Sequence, residues 1–345
     1  MRLLYGVQAT GNGHISRARA MAKQLQLLGV EVDFLFSGRP ADQLFDMPCF
    51  GQWQHRRGLT FASRAGRIDY LRSVCQANLR QLWSDIQTLD TRGYDLVITD
   101  FEPVTAWAAK RQGTPVLALG HQYAFLHSIP LQDDSWFSRR VFHHFAPSDQ
   151  HIGLHWHHFD IAQANGAAIA PPIIDLPASI PSTDPNRVLV YLPFEDPTAV
   201  RQWLLPLTGY QFEIYGCQGI TGRQQQLHFH PPSVSSFKQH LAQAGAVLSN
   251  AGFELISEAL QWQKKIMVKP LQGQMEQASN ALALQQLQLA DSQHQLSTDN
   301  ISTWLQGPAP GRKVQYPNVA ADICRQLLAG GSFDSKNLWL QTKFI

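Results

Sequence analysis

Apolar positions in the first half of the chain alternate between short continuous runs and stretches with helical spacing. Arg2 to Gln8 is a short apolar strand, Ser16 to Leu28 repeats Ala20, Leu25 and Leu28 at helical spacing, and Glu31 to Phe36 is β-branched and aromatic. Further on, Tyr94 to Thr99 is an apolar run of strand length, Pro103 to Gln112 reads as a helix and Pro115 to Leu119 as another strand. Strands interleaved with helices predict an α/β fold whose mostly parallel sheet is covered on both faces. Ligands on such sheets sit beyond the carboxyl ends of the strands.

The pattern breaks at Pro171, Pro172, Pro177, Pro181 and Pro185, where neither a helix nor a central strand can continue. A second α/β unit opens with Arg187 to Leu192. The expected division is therefore a domain over 1–170, a stiff connector over 171–186, a second domain over 187–325 and a tail over 326–345. The tail carries Phe333, Leu338, Trp339, Leu340 and Phe344, and so much apolar surface predicts docking.

Composition narrows the classes of function. The chain has 345 residues, 44% of them hydrophobic, enough for two cores, and a net charge of +2 that excludes a nucleic-acid field. Its cysteines, Cys49, Cys75, Cys217 and Cys324, show no CxxC pairing and suit a reduced compartment. No run has the length of a membrane span and Met1 to Gln8 lacks a signal-peptide core, so a cytoplasmic protein is expected.

The most informative stretch begins at Ser249-Asn250-Ala251-Gly252. An apolar strand, Ala246 to Leu248, meets a glycine turn and an amphipathic helix, followed by a strand at Lys265 to Lys269, Pro270 and the polar helix start Glu276-Gln277-x-x-Asn280. Such a turn aims unpaired helix amides at an anion above the strand. Glu258 can accept two hydrogen bonds from a ribose diol, and Glu276 and Gln277 offer an acid and an amide to sugar hydroxyls. Phosphate, ribose and hexose contacts in that order describe a nucleotide-sugar site, to which Asn250, Gly252 and Phe253 of the turn are assigned as well.

Gly252, Glu258, Pro270, Glu276, Gln277 and Asn280 together resemble the donor half of GT-B glycosyltransferases. The likeness is to the transferase that adds N-acetylglucosamine to the peptidoglycan lipid intermediate, to the UDP-dependent glucosyl and glucuronosyl transferases and, more closely, to a prokaryotic branch of that superfamily. It implies two Rossmann-like domains facing across a cleft, a C-terminal helix crossing back to the first domain, and inverting transfer from a nucleotide sugar, by default UDP-linked. No D-x-D occurs, a helix N-terminus can neutralise the leaving diphosphate, and neither metal nor cofactor is expected. Two positions depart from the family: Pro193-Phe194-Glu195-Asp196 replaces a Gly/Ser-rich phosphate loop, and Glu254-Leu255 stands where many relatives have Asn-Ser.

Between the first strand and helix lies Gly11-Asn12-Gly13-His14. His14 at a helix start is a candidate base for the acceptor hydroxyl, since a helix N-terminus favours the neutral imidazole. The family resemblance adds Asp100, after the strand Tyr94 to Thr99, as the carboxylate that orients it, with Glu102 in reserve. Gly13, Glu102, His121 and Gln122 are the expected acceptor side. A dinucleotide loop is disfavoured, because Ser16 stands where its third glycine belongs and Ser37-Gly38-Arg39 supplies no ribose acid. His155 and His157 would share one face if His155 to Phe159 were a strand, without forming a recognisable metal motif. A nucleotide-sugar epimerase or hydrolase and a binding protein without turnover remain the alternatives. The acceptor stays unidentified.

Overall fold

The computed structural model of the protein describes residues 1–59, 63–64, 67–68, 78–133, 136–160, 167–177, 180–217, 219–309 and 311–345. Cys75 lies outside them. The first sheet joins β1 (Arg2–Gln8), β2 (Glu31–Ser37), β3 (Trp53–His55), β4 (Leu96–Asp100), β5 (Val116–Gly120), β6 (Gln150–Leu154) and β7 (Ala167–Ala170). Their order is β3-β2-β1-β4-β5-β6-β7 and every pairing is parallel. Burial on both faces explains why β1 is buried from Leu3 through Gln8 and why it reads as a continuous apolar run. Two helices of this half matter most, α1 (Asn12–Leu27) and α2 (Pro103–Gln112). Strand order reverses between β1 and β4, so the loops leaving them part at the point where α/β sheets hold ligands.

The second sheet joins β8 (Asp184–Tyr191), β9 (Gln211–Tyr215), β10 (Gly222–Gln224), β11 (Leu227–Phe229), β12 (Ala244–Asn250), β13 (Lys265–Lys269) and β14 (Asp291–Ser292). The order is β10-β11-β9-β8-β12-β13-β14, parallel except for the β10/β11 hairpin. Its site-bearing helices are α3 (Val234–Gln243), α4 (Phe253–Gln261) and α5 (Met275–Gln286). Here the reversal lies between β8 and β12. Two doubly wound parallel sheets are the GT-B architecture that the sequence led us to expect.

Two local expectations need correction. The second sheet begins at Asp184, inside the expected connector, and its register to β12 shifts between Asp184 and Val188, where Pro185 cannot donate to the ladder. His155 to Phe159 is no strand: β6 stops at Leu154, and Phe159 and Asp160 turn with φ of 48° and 55°. Ahead of the donor helix, α3 starts at Val234 and carries Phe237 onto Tyr191 and Tyr215.

The chain crosses back through α6 (Val319–Ala329), which packs against α1 and buries Val319, Ala320, Ile323 and Cys324. The crossing thus starts before residue 326. Beyond it, Leu338 is buried and Trp339 Nε1 donates to Ile169 O at 2.8 Å, while Lys343–Phe344 pairs antiparallel with Val314–Gln315. One apolar cluster holds Ile15 and Met21 of α1, Ile256 and Leu260 of α4 and Ile323 of α6, so the two sheets share a core. Among the described residues no helix is long and apolar enough to cross a membrane.

Candidate active site

The chain leaves β1 and enters α1 at Gly11, an extended N-cap that makes no side-chain bond. His14 therefore occupies the first turn, and its side chain keeps 13% of its exposure. Asp100 closes β4 and is fully buried; Phe101 follows at φ 53°, a conformation bulky side chains rarely take, and α2 starts at once. His14 Nδ1 lies 2.7 Å from Asp100 Oδ1. Arg17, on the same helix face three residues on, grips the same carboxylate twice, Nε to Oδ2 at 2.7 Å and Nη2 to Oδ1 at 2.6 Å. Burial acts to raise the Asp100 carboxyl, but Arg17 and His14 together hold it below its ordinary value. An ionised carboxylate only accepts hydrogen bonds, so the nitrogen facing it, Nδ1, is the donor, and in the neutral ring the lone pair is then on Nε2. Gly120 makes room for this group, since a Cβ there would meet Asp100 Oδ1 at 3.2 Å and Arg17 Nη2 at 3.4 Å.

Glu102 has a different task. It caps α2, accepting from Val104 N at 2.9 Å and Thr105 N at 2.7 Å, and takes Ser37 Oγ at 2.7 Å. With its oxygens committed to the helix start it does not orient His14, and the reserve role expected of it falls away.

Across the cleft, β12 ends at Asn250 and α4 begins at Phe253, with Gly252 as an N-cap that makes no side-chain bond. Asn250 Nδ2 donates to Glu195 Oε1 at 3.2 Å and to Lys269 O at 3.0 Å, while its Oδ1 is buried without a protein partner. Glu195, from the unusual loop after β8, pairs with Lys269 at 2.7 Å, so that loop's charge is compensated locally. Glu258 is buried, pairs with Lys238 of α3 and accepts from Ser16 Oγ at 3.3 Å.

Helix α1 meets the start of α4 directly. Arg17 pairs with Glu254, and Gly13 permits the approach, because a Cβ there would stand 2.8 Å from Glu254 Cγ. Burial raises the Glu254 carboxyl, Arg17 pulls it back, and Asp100 and Glu258 push it up again, to about 8. His121 stacks on Phe253 with centroids 4.0 Å apart and planes at 6°, its Nε2 2.7 Å from Asn280 Oδ1 and its Nδ1 2.8 Å from Leu154 O. Buried, with both nitrogens occupied, His121 bridges the two halves and does not line an open acceptor pocket. Gln122 Nε2 donates to Glu276 Oε2 at 3.2 Å, and its own Oε1 is buried without a protein partner. Gln277 is buried and accepts from Leu271 N at 3.0 Å, tying the start of α5 to the turn after β13.

The residues singled out on both halves thus face one another, but the cations that hold them went unnoticed in the sequence. Arg17 has a readable signal in its three-residue spacing from His14 on a helix start. Lys238 and Lys269 have none, since only folding brings them to Glu258 and Glu195.

The sequence matches Glycosyl transferase family 1 over residues 1–307, and the chain belongs to that family. No curated protein matches it. Among solved structures it is similar to UGT2 of Phytolacca americana, complexed with UDP-2-fluoro-glucose and pterostilbene, at 13% identity and a TM-score of 0.60, covering 94% of this chain and 92% of that one. It is also similar to the spinosyn rhamnosyltransferase SpnG, at 16% identity and a TM-score of 0.60 over 89% and 92% of the two chains. MurG of Acinetobacter baumannii aligns at 16% identity with a TM-score of 0.53, over 88% and 89%. These likenesses carry the fold, and the family match makes the protein a glycosyltransferase.

Proposed function

We propose that the protein is an inverting glycosyltransferase that moves a sugar from a nucleotide donor, in the first instance a UDP-sugar, to an acceptor hydroxyl. The observation that carries this reading is the contact of His14 with Asp100 opposite the start of α4, which in the neutral ring leaves the Nε2 lone pair to take a proton. In the reaction the acceptor O–H proton passes to Nε2 as the oxygen attacks the anomeric carbon from the side opposite the leaving group. The new C–O bond forms, the bond to the diphosphate breaks, and Asp100 stabilises the imidazolium.

The diphosphate is assigned to the amides of Phe253 and Glu254 at the start of α4, with Arg17, the partner of Glu254, as a neighbouring cation. These groups supply the field a leaving diphosphate needs, so the transfer step in this reading uses no metal. Glu254 is the group that a diphosphate would find in its way. Burial raises that carboxyl and so favours its protonated form, which would donate to a phosphate oxygen where the charged form would repel it. Glu258 takes the ribose hydroxyls in exchange for Lys238 and Ser16, and Glu276 and Gln277 take the sugar.

A panel of nucleoside diphosphates and their sugars, read by thermal shift and then by donor consumption with and without acceptors, tests the reading. UDP-type ligands should raise the melting temperature. Rapid hydrolysis or epimerisation without acceptor would move the assignment to a nucleotide-sugar hydrolase or epimerase, and binding without turnover to a non-catalytic binder.

A further inference from the structure

A second cluster of chemistry-bearing side chains lies in the other half of the second sheet. Glu213 on β9 is the register neighbour of His228 on the adjacent parallel strand β11, and His230 follows two residues on, its N–H continuing the ladder to Ile214 O at 2.8 Å. Residues two apart on a strand share a face. Phe212 and Ile214 turn to the apolar core on one side, which leaves Glu213, His228 and His230 together on the other. One ligand atom from each lies within 4.8 Å of the others.

The distances are those of a nearly assembled coordination shell. Zinc holds nitrogen and carboxylate oxygen at about 2.0–2.2 Å, which sets neighbouring ligand atoms of a tetrahedron roughly 3.3 Å apart. His228 Nδ1 is 3.4 Å and His230 Nε2 is 2.6 Å from Glu213 Oε2. The second pair must open by well under an ångström, and the two imidazole nitrogens stand within 4.8 Å of each other, within reach of the same spacing after a small closure. The carboxylate is already aimed, because Arg187 Nη1 stands 3.4 Å from the other oxygen, Oε1, and leaves Oε2 to the imidazoles. His240 of α3 comes from above, its Nδ1 3.9 Å from Glu213 Oε2 and 2.9 Å from the Tyr215 hydroxyl. The ring nitrogen that His228 turns away from the carboxylate, Nε2, is buried with no protein partner, so the imidazole is directed from its Nδ1 side alone. A buried acid that only needed a counter-charge would have one in Arg187. The imidazoles from a strand, a strand end and a helix are more nitrogen than one carboxylate requires.

We infer that Glu213, His228 and His230 form a binding site for a divalent transition metal, with Zn²⁺ the best match to a nitrogen-rich, one-carboxylate donor set on rigid strands. His240 stands beside the remaining position, either as a fourth ligand after a small shift or as a partner to a bound water. The site shares α3 with Lys238, the partner of Glu258, but none of its ligands takes part in the proposed transfer step. It would clamp β9 to β11 and fix the start of the His230-to-Ser233 turn that leads into α3.

The test uses the full chain stripped with a chelator and titrated with Co²⁺, whose visible absorbance reports a low-coordinate nitrogen-oxygen site, and with Zn²⁺ by thermal shift. One Co²⁺ per chain with intense visible bands is expected, displaced by Zn²⁺, together with a rise in melting temperature. His228→Ala and His230→Ala, at partly exposed positions, should each weaken Co²⁺ binding by roughly 100-fold or more with far-UV circular dichroism unchanged, whereas His157→Ala should not. Absence of the bands at millimolar Co²⁺ in the unaltered protein overturns the site whatever the variants do. Equal binding by both histidine variants and the unaltered protein would place the metal elsewhere and overturn it as well.

Discussion

The two faces of the cleft are built differently. On the first domain, His14, Arg17 and Asp100 are held by bonds within that domain, around a carboxylate with no exposure. On the second, Glu254, Glu258 and Glu276 are held by partners that a donor must replace, three of them, Arg17, Ser16 and Gln122, from the opposite half. The first face is therefore ready for proton transfer before any ligand arrives, and the second is closed on itself. Pre-organisation of the reacting groups lowers the barrier for chemistry, whereas a donor site that must first exchange ion pairs trades affinity for selectivity.

The strongest way to break this contrast is at the base. His14→Ala should lower turnover by about 10²–10⁴-fold while leaving the affinity for nucleoside diphosphate nearly unchanged. Transfer kinetics beside a binding titration check it, and near-normal transfer by the folded variant removes His14 from the reaction. Asp100→Asn should also slow turnover, and the double variant should be little worse than His14→Ala, since the two act as one unit.

Arg17 belongs to both faces and sharpens the comparison. Arg17→Met should destabilise the protein by about 3–5 kcal/mol in denaturant unfolding, because it strands a fully buried carboxylate. Adding Asp100→Asn should recover part of that loss. If Arg17→Met unfolds like the unaltered protein, the buried pair is not what holds the first face together.

Smaller effects are expected on the donor face. Glu258→Ala should weaken nucleoside diphosphate binding by roughly 1–3 kcal/mol, the scale of a charge-assisted hydrogen bond, measured by calorimetry. Gln277→Ala should impair the nucleotide sugar more than the free diphosphate, and equal losses would exclude it from the sugar pocket.

The smallest effect is in the pH dependence. The Glu254 carboxyl is raised from 4.5 to about 8 on folding, so its contribution to stability is present in full below about pH 4.5 and is lost as pH rises through 8. Glu254→Gln should flatten that decline in unfolding free energy between pH 5 and 8. Asp100 is lowered, and its contribution is present above the ordinary carboxyl range and lost as pH falls through the folded value. An unfolding curve for Glu254→Gln with the same slope as the unaltered protein would contradict the raised carboxyl.

Regular elements were legible because period and burial are local properties. The strand at Lys265 to Lys269 and the helix Pro103 to Gln112 came out with their observed ends, and the glycine turn at Gly252 was read with its strand and helix in place. Reading failed where a neighbour distant in sequence set the outcome. His155 to Phe159 alternates like a strand, yet its chain turns after Leu154 has paired, and His155 is buried against His121 and Trp156. His121 looked like a loop side chain free to meet an acceptor, but Phe253 and Asn280 from the other domain enclose it.

What the sequence determined by itself is the α/β alternation, the paired domains and the order of residues along the donor turn, all consequences of spacing along one chain. Only the tertiary structure decided which charges meet: Arg17 on Asp100 and Glu254, Lys238 on Glu258, Lys269 on Glu195, and Glu213 among histidines from neighbouring elements. Those partners lie on different strands and helices, and electrostatic attraction acts over distance in space, which spacing in the sequence does not encode.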